Sequence, residues 1–282
     1  MATASSPAGY EHPARQTKLA LVETAHRITE FRSFADLGGC WGVNGAYSFH
    51  AAELCGPSLE RAFILDGSIT PQTRDRAGQH PRVQLVETLL GSREAHEAVG
   101  HVGAVIMFDI LLHQVDPDWN DFLLAWSRQT DTLVIHNQNW LKTPRTIRFV
   151  ERGLEWYRRN VVVWEDEYAP SVERWFARHH ERDSRGRLER DSYDFWQWGI
   201  RPLELINLLA RHGFELVHMD RDALPFGPHY PWIVNDGMVF RRAAFPEASR
   251  RSRIRATARA LLSRRAVTSR PTETMRLTEV RT

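Results

Sequence analysis

The segment Asp36-Leu37-Gly38-Gly39-Cys40-Trp41-Gly42 sets three glycines behind an acid, between a short apolar run and a stretch of helical composition. Glycines at such a turn let the backbone close on a ligand, and the helix start behind it offers free N–H donors. Twenty-four residues after Gly42, a second apolar run ends in Phe63-Ile64-Leu65-Asp66-Gly67. A carboxylate there is placed to accept both hydroxyls of a ribose. The two segments together predict a nucleoside site built from Asp36, Gly38, Gly39, Gly42, Asp66 and Gly67. The bland alternative is a turn and a strand-end acid that hold no ligand.

Two further places carry polar groups where a ligand crevice belongs. Asp109 and His113 follow the apolar run Ala104–Phe108, and His136-Asn137-Gln138-Asn139-Trp140 follows Thr132–Ile135. Four polar side chains at a strand tip are hard to explain as packing, because in doubly wound sheets that end faces the crevice. Other chemistries are absent. Of 37 Lys and Arg residues only Lys18 and Lys142 are lysines, and neither follows a glycine, so no GxxxxGK[ST] phosphate loop exists. No tyrosine lies four residues before either lysine, which removes a Tyr-x-x-x-Lys hydride-transfer pair, and Schiff-base chemistry would rest on these two residues alone.

The elements that must position these groups alternate. Lys18–Phe31 carries apolar residues at helical spacing; the runs Phe34–Leu37, Ala62–Leu65, Val83–Val86, Ala104–Phe108 and Thr132–Ile135 are short and continuous. Between them lie Ala46–Leu54, Pro71–Gln79, Ser92–Val99 and Pro117–Gln129, each of helical length. Strands alternating with helices predict βαβ units, and continuous apolar strands predict burial on both faces. The fold expected is therefore α/β, a doubly wound and mostly parallel sheet. Beyond Trp140 the rhythm changes: Thr143–Asn160 and Ser171–Arg185 read as charged helices, Pro202–His212 as a helix, and Phe214–Met219 with Gly237–Phe240 as two last strands, antiparallel at the sheet edge.

On these residues the chain resembles the class I S-adenosylmethionine-dependent methyltransferases, over about residues 18–140. Asp36, Gly38 and Gly42 match the family's E/D-x-G-x-G-x-G motif, with Cys40 in place of its middle glycine. Asp66 matches the family's ribose-binding acid, and Val105–Val115 resembles the fourth-strand motif, with Asp109 shaping the cofactor site. Leu89 stands about where the family places an acid near the adenine. The resemblance implies a Rossmann-like methyltransferase fold, S-adenosylmethionine as cofactor and a small-molecule acceptor, an oxygen on a sugar, a lipid-linked or a secondary metabolite. It implies His113 and His136 as candidate bases. In metal-dependent catechol-type relatives, ligands come from the ends of strands four and five, which Asp109 with His136 or Asn137 imitates; a single carboxylate is few for a hard cation, so a metal stays open as the less favoured version. The alternative is a catalytically inactive domain that binds the cofactor as a regulatory or assembly protein.

The chain is expected to divide into a lead over 1–17, a methyltransferase domain over 18–245 with a cap over about 141–200, and a basic tail over 246–282. The aromatic stretch with Tyr193 and Trp196, and Tyr230 further on, is expected to cover the crevice and, with Asn137 and Asn139, to meet the acceptor. Residues 241–282 hold 12 arginines and 3 glutamates, which leaves 25 basic and 32 acidic residues in 1–240. An acidic body argues against a nucleic-acid partner; the tail reads either as solvated or as a basic helix on an anionic membrane or a partner. Two cysteines, no apolar leader at the N-terminus and no run long enough for a bilayer predict a cytoplasmic protein.

Overall fold

The computed structural model describes residues 15–161, 165–183 and 186–243. The tail over 246–282 and the lead before Arg15 lie outside the described residues.

Helix α1 (Gln16–Thr29) turns Lys18, Leu21, Val22 and Ala25 inward, the three-four spacing of an amphipathic helix. Four βα units follow: β1 (Ser33–Leu37) with α2 (Ala46–Cys55), β2 (Arg61–Asp66) with α3 (Pro71–Ala77), β3 (Val83–Glu87) with α4 (Arg93–Val99), and β4 (Val102–Phe108) with α5 (Trp119–Ser127). Thr70 and Ser92 cap α3 and α4, each side-chain oxygen accepting the N–H three residues on. Strand β5 (Thr130–Trp140) is next. Then come β6 (Ile147–Arg148), α6 (Leu154–Asn160), α7 (Glu165–Arg178), β7 (Trp198–Gly199), α8 (Pro202–Arg211), β8 (Phe214–Asp222) and β9 (Ile233–Arg242).

Seven strands form one sheet in the order β3-β2-β1-β4-β5-β9-β8, parallel from β3 to β5, with β9 antiparallel to both its neighbours. The order runs outward from β1 to β3 and then restarts at β4 on the other side. A crevice therefore opens between the carboxyl ends of β1 and β4, the position where doubly wound sheets take ligands. The expected α/β class and mostly parallel sheet are as observed. The last two strands differ in detail: β9 lies inside the sheet and only β8 forms its edge.

Two further expectations are corrected. Strand β5 does not stop before His136; it runs through Trp140 because β9 pairs with it from Thr132 to Trp140. Thr143–Asn160 is not one helix. Gly153, at φ 82°, separates a short 3-10 turn from α6, and Ile147–Arg148 pairs with Trp198–Gly199 as a small antiparallel ribbon.

One apolar core lies between the sheet and α1–α2, where Phe34, Ile64, Ile106 and Val134 are fully buried. Each such side chain stabilises the fold by roughly 1.5–3 kcal/mol. A second core, in the 141–200 region, gathers Trp140, Phe149, Tyr157, Trp175 and Phe195, with Trp175 and Phe195 stacked at 4.4 Å. Gly199 is squeezed by this second core: a Cβ there would lie 2.5 Å from Phe149 Cε1 and 2.8 Å from Trp140 Cγ. Gly199→Ala is expected to cost about 1–3 kcal/mol in chemical denaturation. Gly67→Ala, with nothing within 4 Å, is expected to stay within about 0.5 kcal/mol; equal losses would contradict this packing.

Candidate functional site

Asp109 follows the last residue of β4 at φ 57°, in the left-handed region that non-glycine residues seldom enter. Strand alternation would send its side chain to the side of Met107. The twist carries it instead to the side of Phe108, where it meets Lys18 and His136. The Lys18 ammonium donates to Oδ2, and His136 Nδ1 lies 2.9 Å from Oδ1. Lys18 is only 7% exposed and stands over the rings of Tyr47 and Phe108 at 5.6 and 5.7 Å. Burial pushes the Asp109 carboxyl up, but the Lys18 ammonium and His136 outweigh it and hold the group well below the usual carboxylate range. An ionised Asp109 takes the Nδ1 proton of His136 as a hydrogen bond, which leaves the Nε2 lone pair of that ring free to accept.

The glycine turn forms the other half. Gly38 and Gly42 adopt φ 73° and 68°, and the Gly38 N–H donates to the Leu65 carbonyl at 2.7 Å. A Cβ on Gly38 would collide with Ile110, and one on Gly39 would lie 2.7 Å from Asp36 Oδ2. Cys40 is fully buried in the first core, and burial pushes its thiol up to about 12. The side chain that replaces a glycine therefore points away from the crevice. The Cys40 N–H donates to Asp66 Oδ2 at 3.0 Å, and Ser68 N–H to Oδ1 at 3.0 Å. The N–H groups of Trp41 and Gly67 turn toward the same carboxylate. Burial raises the Asp66 carboxyl against these backbone bonds. Beside the turn, Trp41 and Leu89 are 67% and 47% exposed, an unusual state for large apolar side chains.

Asp36 lies beneath the turn rather than on its surface. It is buried, the Ser48 hydroxyl of α2 donates to its Oδ2, and burial pushes its carboxyl up to about 7 despite that bond.

The remaining candidates are drawn apart. His113 Nδ1 lies 2.9 Å from the Phe195 carbonyl, and burial lowers its pKa against that bond, so a neutral ring ties the turn after β4 to the aromatic stretch. Asn137 and Asn139 project to the opposite side of β5 from His136. Asn137 Nδ2 donates to Asn139 Oδ1 at 2.9 Å, and Asn139 Nδ2 to Asp236 at 2.8 Å; Asp236 in turn grips Arg221 at 2.6 and 2.9 Å. Tyr193 OH donates to the Asp116 carbonyl at 3.2 Å, Trp196 packs edge-on to Phe226, and Tyr230 to Trp232. Sequence reasoning missed Lys18 and Ser48. Lys18 had a signal, since one of only two lysines stands a helical turn before Leu21, on the apolar side of α1. Among the described residues no group of three or more His, Cys, Asp and Glu side chains is placed to hold a metal ion.

No protein-family description matches the chain, and no curated protein matches it. Solved structures do. The N-terminal domain of EvdMO1 with SAH (S-adenosylhomocysteine) bound superposes at TM-score 0.51 and 16% identity, covering 81% of this chain and 82% of that one. The same domain in the presence of SAH and D-fucose gives 0.52 and 16%, covering 83% and 85%. The chain has the class I methyltransferase fold. A 1,6-didemethyltoxoflavin-N1-methyltransferase from Burkholderia thailandensis gives 0.49 and 13%, covering 82% and 80%. Within this fold, the glycine turn with Asp66 and the Asp109–His136 pair border the same crevice from its two sides.

The raised carboxyl of Asp36 has a consequence for stability. Its folded pKa of about 7 exceeds the ordinary 3.8, so the folded chain holds the proton more tightly than the unfolded one. Its contribution is present at low pH and is lost as pH rises towards 7 and beyond. Asp36→Asn is expected to raise the melting temperature more at about pH 8 than at about pH 5. Thermal denaturation at the two pH values checks this, and equal changes would contradict the buried, proton-holding carboxyl.

Proposed function

We propose that this chain transfers a methyl group from S-adenosylmethionine to a hydroxyl of a small molecule. The observation that carries the reading is the junction of the Gly38–Gly42 turn with Asp66 at the point where strand order reverses. The residues suit a nucleoside. Asp66 sets a carboxylate beside the turn for ribose hydroxyls, backbone N–H groups line the turn, and Trp41 and Leu89 offer apolar surface for a base. SAH bound to the EvdMO1 domain supports the same assignment.

Bound there, the donor supplies a methyl group on a sulfonium sulfur, which keeps the electron pair of the broken bond and leaves as a neutral thioether. The chain aligns the two partners, excludes water and removes the acceptor's proton. His136 suits the last task better than His113. As the oxygen–carbon bond forms, Nε2 takes the hydroxyl proton, and the ionised Asp109 stabilises the imidazolium that results. His113 is engaged by backbone groups of Phe195 and Tyr193, and its burial opposes charge. Lys18 keeps Asp109 ionised and is a positioning residue. In this reading the 141–200 region covers the acceptor.

A sugar-like acceptor is the preferred class, supported by the EvdMO1 domain studied with D-fucose. Two free, buried cysteines support a reducing, cytoplasmic setting.

Calorimetry with SAH is expected to show binding that Asp66→Ala weakens at least about tenfold, the loss of charged hydrogen bonds to hydroxyls. Undiminished binding in that variant would overturn the donor assignment. His136→Ala is expected to keep SAH affinity while turnover falls by about 10²–10⁴; equal turnover would remove the base. Wild-type turnover also decides against a binding domain without catalysis.

A further inference from the structure

Beyond His136 the three last strands carry a row of oxygen acceptors. Gln138 on β5 stands opposite Asn235 on β9, and Asn235 opposite Asp222 on β8. Residues paired directly across a sheet project to one side, as do residues two apart on a strand. The row therefore continues the side of His136 and not that of Asn137 and Asn139. Gly237, opposite His136, identifies this side: a Cβ there would lie 3.2 Å from Leu21. α1 thus covers Gly237 with Leu21, reaches the His136–Asp109 pair with Lys18, and begins at Gln16. The row lies where the helix starts, at the mouth of the crevice.

Asn235 is only 6% exposed, and its Oδ1 has no hydrogen-bond partner. Leaving a buried carbonyl oxygen empty costs about 1–3 kcal/mol; Asn137 Oδ1, on the other side of β5, carries the same cost, so it is the side shared with His136 that marks the Asn235 oxygen for a ligand. Gln138 is buried beside it, and Asp222 is exposed at the end of the row, with Oδ1 accepting the Leu224 N–H at 3.2 Å.

We infer that Gln138, Asn235 and Asp222 form the acceptor-binding row, and that its ligand is a neutral molecule with several hydroxyls. The hydroxyls donate to these oxygens while a neighbouring one is presented to His136 Nε2. The carboxylate of Asp222 opposes an anionic acceptor. The nearest cation along β8, Arg221, is held by Asp236 on the other side of the sheet. This inference rests on the methyl-transfer reading above and names its acceptor site.

The test uses the SAH-loaded full chain with D-fucose, D-glucose and myo-inositol as probes, followed by ligand-observed NMR. At least one probe is expected to bind the wild type. Asn235→Leu, similar in size but without the empty oxygen, is expected to weaken it at least about tenfold, with SAH affinity kept and a melting temperature no lower than wild type. Gln138→Leu, on a different strand, is expected to weaken the same probe and serves if the first variant does not fold. If the wild type binds SAH but no probe, or if the folded variants bind the probe as well as wild type, the row is overturned and the donor reading stands. A lower melting temperature with unchanged probe binding assigns Asn235 to structure alone and overturns its role. If the wild type does not bind SAH, the donor reading itself falls.

Discussion

A partly buried carboxylate is held ionised by the partners it meets, and Asp109 is paired twice. Drawing a charge away from water is costly without a partner, and at the end of β4 Lys18 supplies that partner. Lys18 reaches it from α1 only if that helix lies across β5 and β9, and the missing side chain of Gly237 gives Leu21 the room to dock there. The same carboxylate orients His136 from β5. One ion pair thus ties an N-terminal helix, the centre of the sheet and the proposed base to a common geometry. The left-handed backbone at Asp109 is the local cost of aiming the group this way.

The other half of the crevice depends on backbone, with Asp66 as a charged partner. Its carboxylate gathers the N–H groups of Cys40 and Ser68, so the acid proposed for ribose also shapes the glycine turn. Asp36 supports that turn from below through Ser48, in a setting dry enough to favour its protonated form. Cys40 shows how a bulkier residue is tolerated in a glycine motif: its side chain enters the core, and only its backbone faces the site.

Local signals made much of this legible. The βα rhythm, the turn after β1 and the acid at the end of β2 depend on neighbours in sequence, and they read correctly as a doubly wound sheet. What failed to read is non-local. His136–Trp140 looked like a polar strand tip because apolar character stops at Ile135; nothing nearby in sequence announces β9, about a hundred residues on, which continues the strand. Once paired, its polar side chains divide by alternation, Asn137 and Asn139 into a buried chain with Asp236 and Arg221, His136 and Gln138 towards the crevice. Lys18 was visible as a rare residue on an apolar helix face, but its partner lies 91 residues away.

A crystal structure of the full chain with SAH tests most directly the proposed seat of the donor, between the glycine turn and the Asp109–His136 pair. The expected density places the ribose hydroxyls on Asp66, the adenine against Leu89 and Trp41, and the sulfur on the side of His136. SAH bound away from the Gly38–Gly42 turn, or with its ribose turned from Asp66, would contradict it.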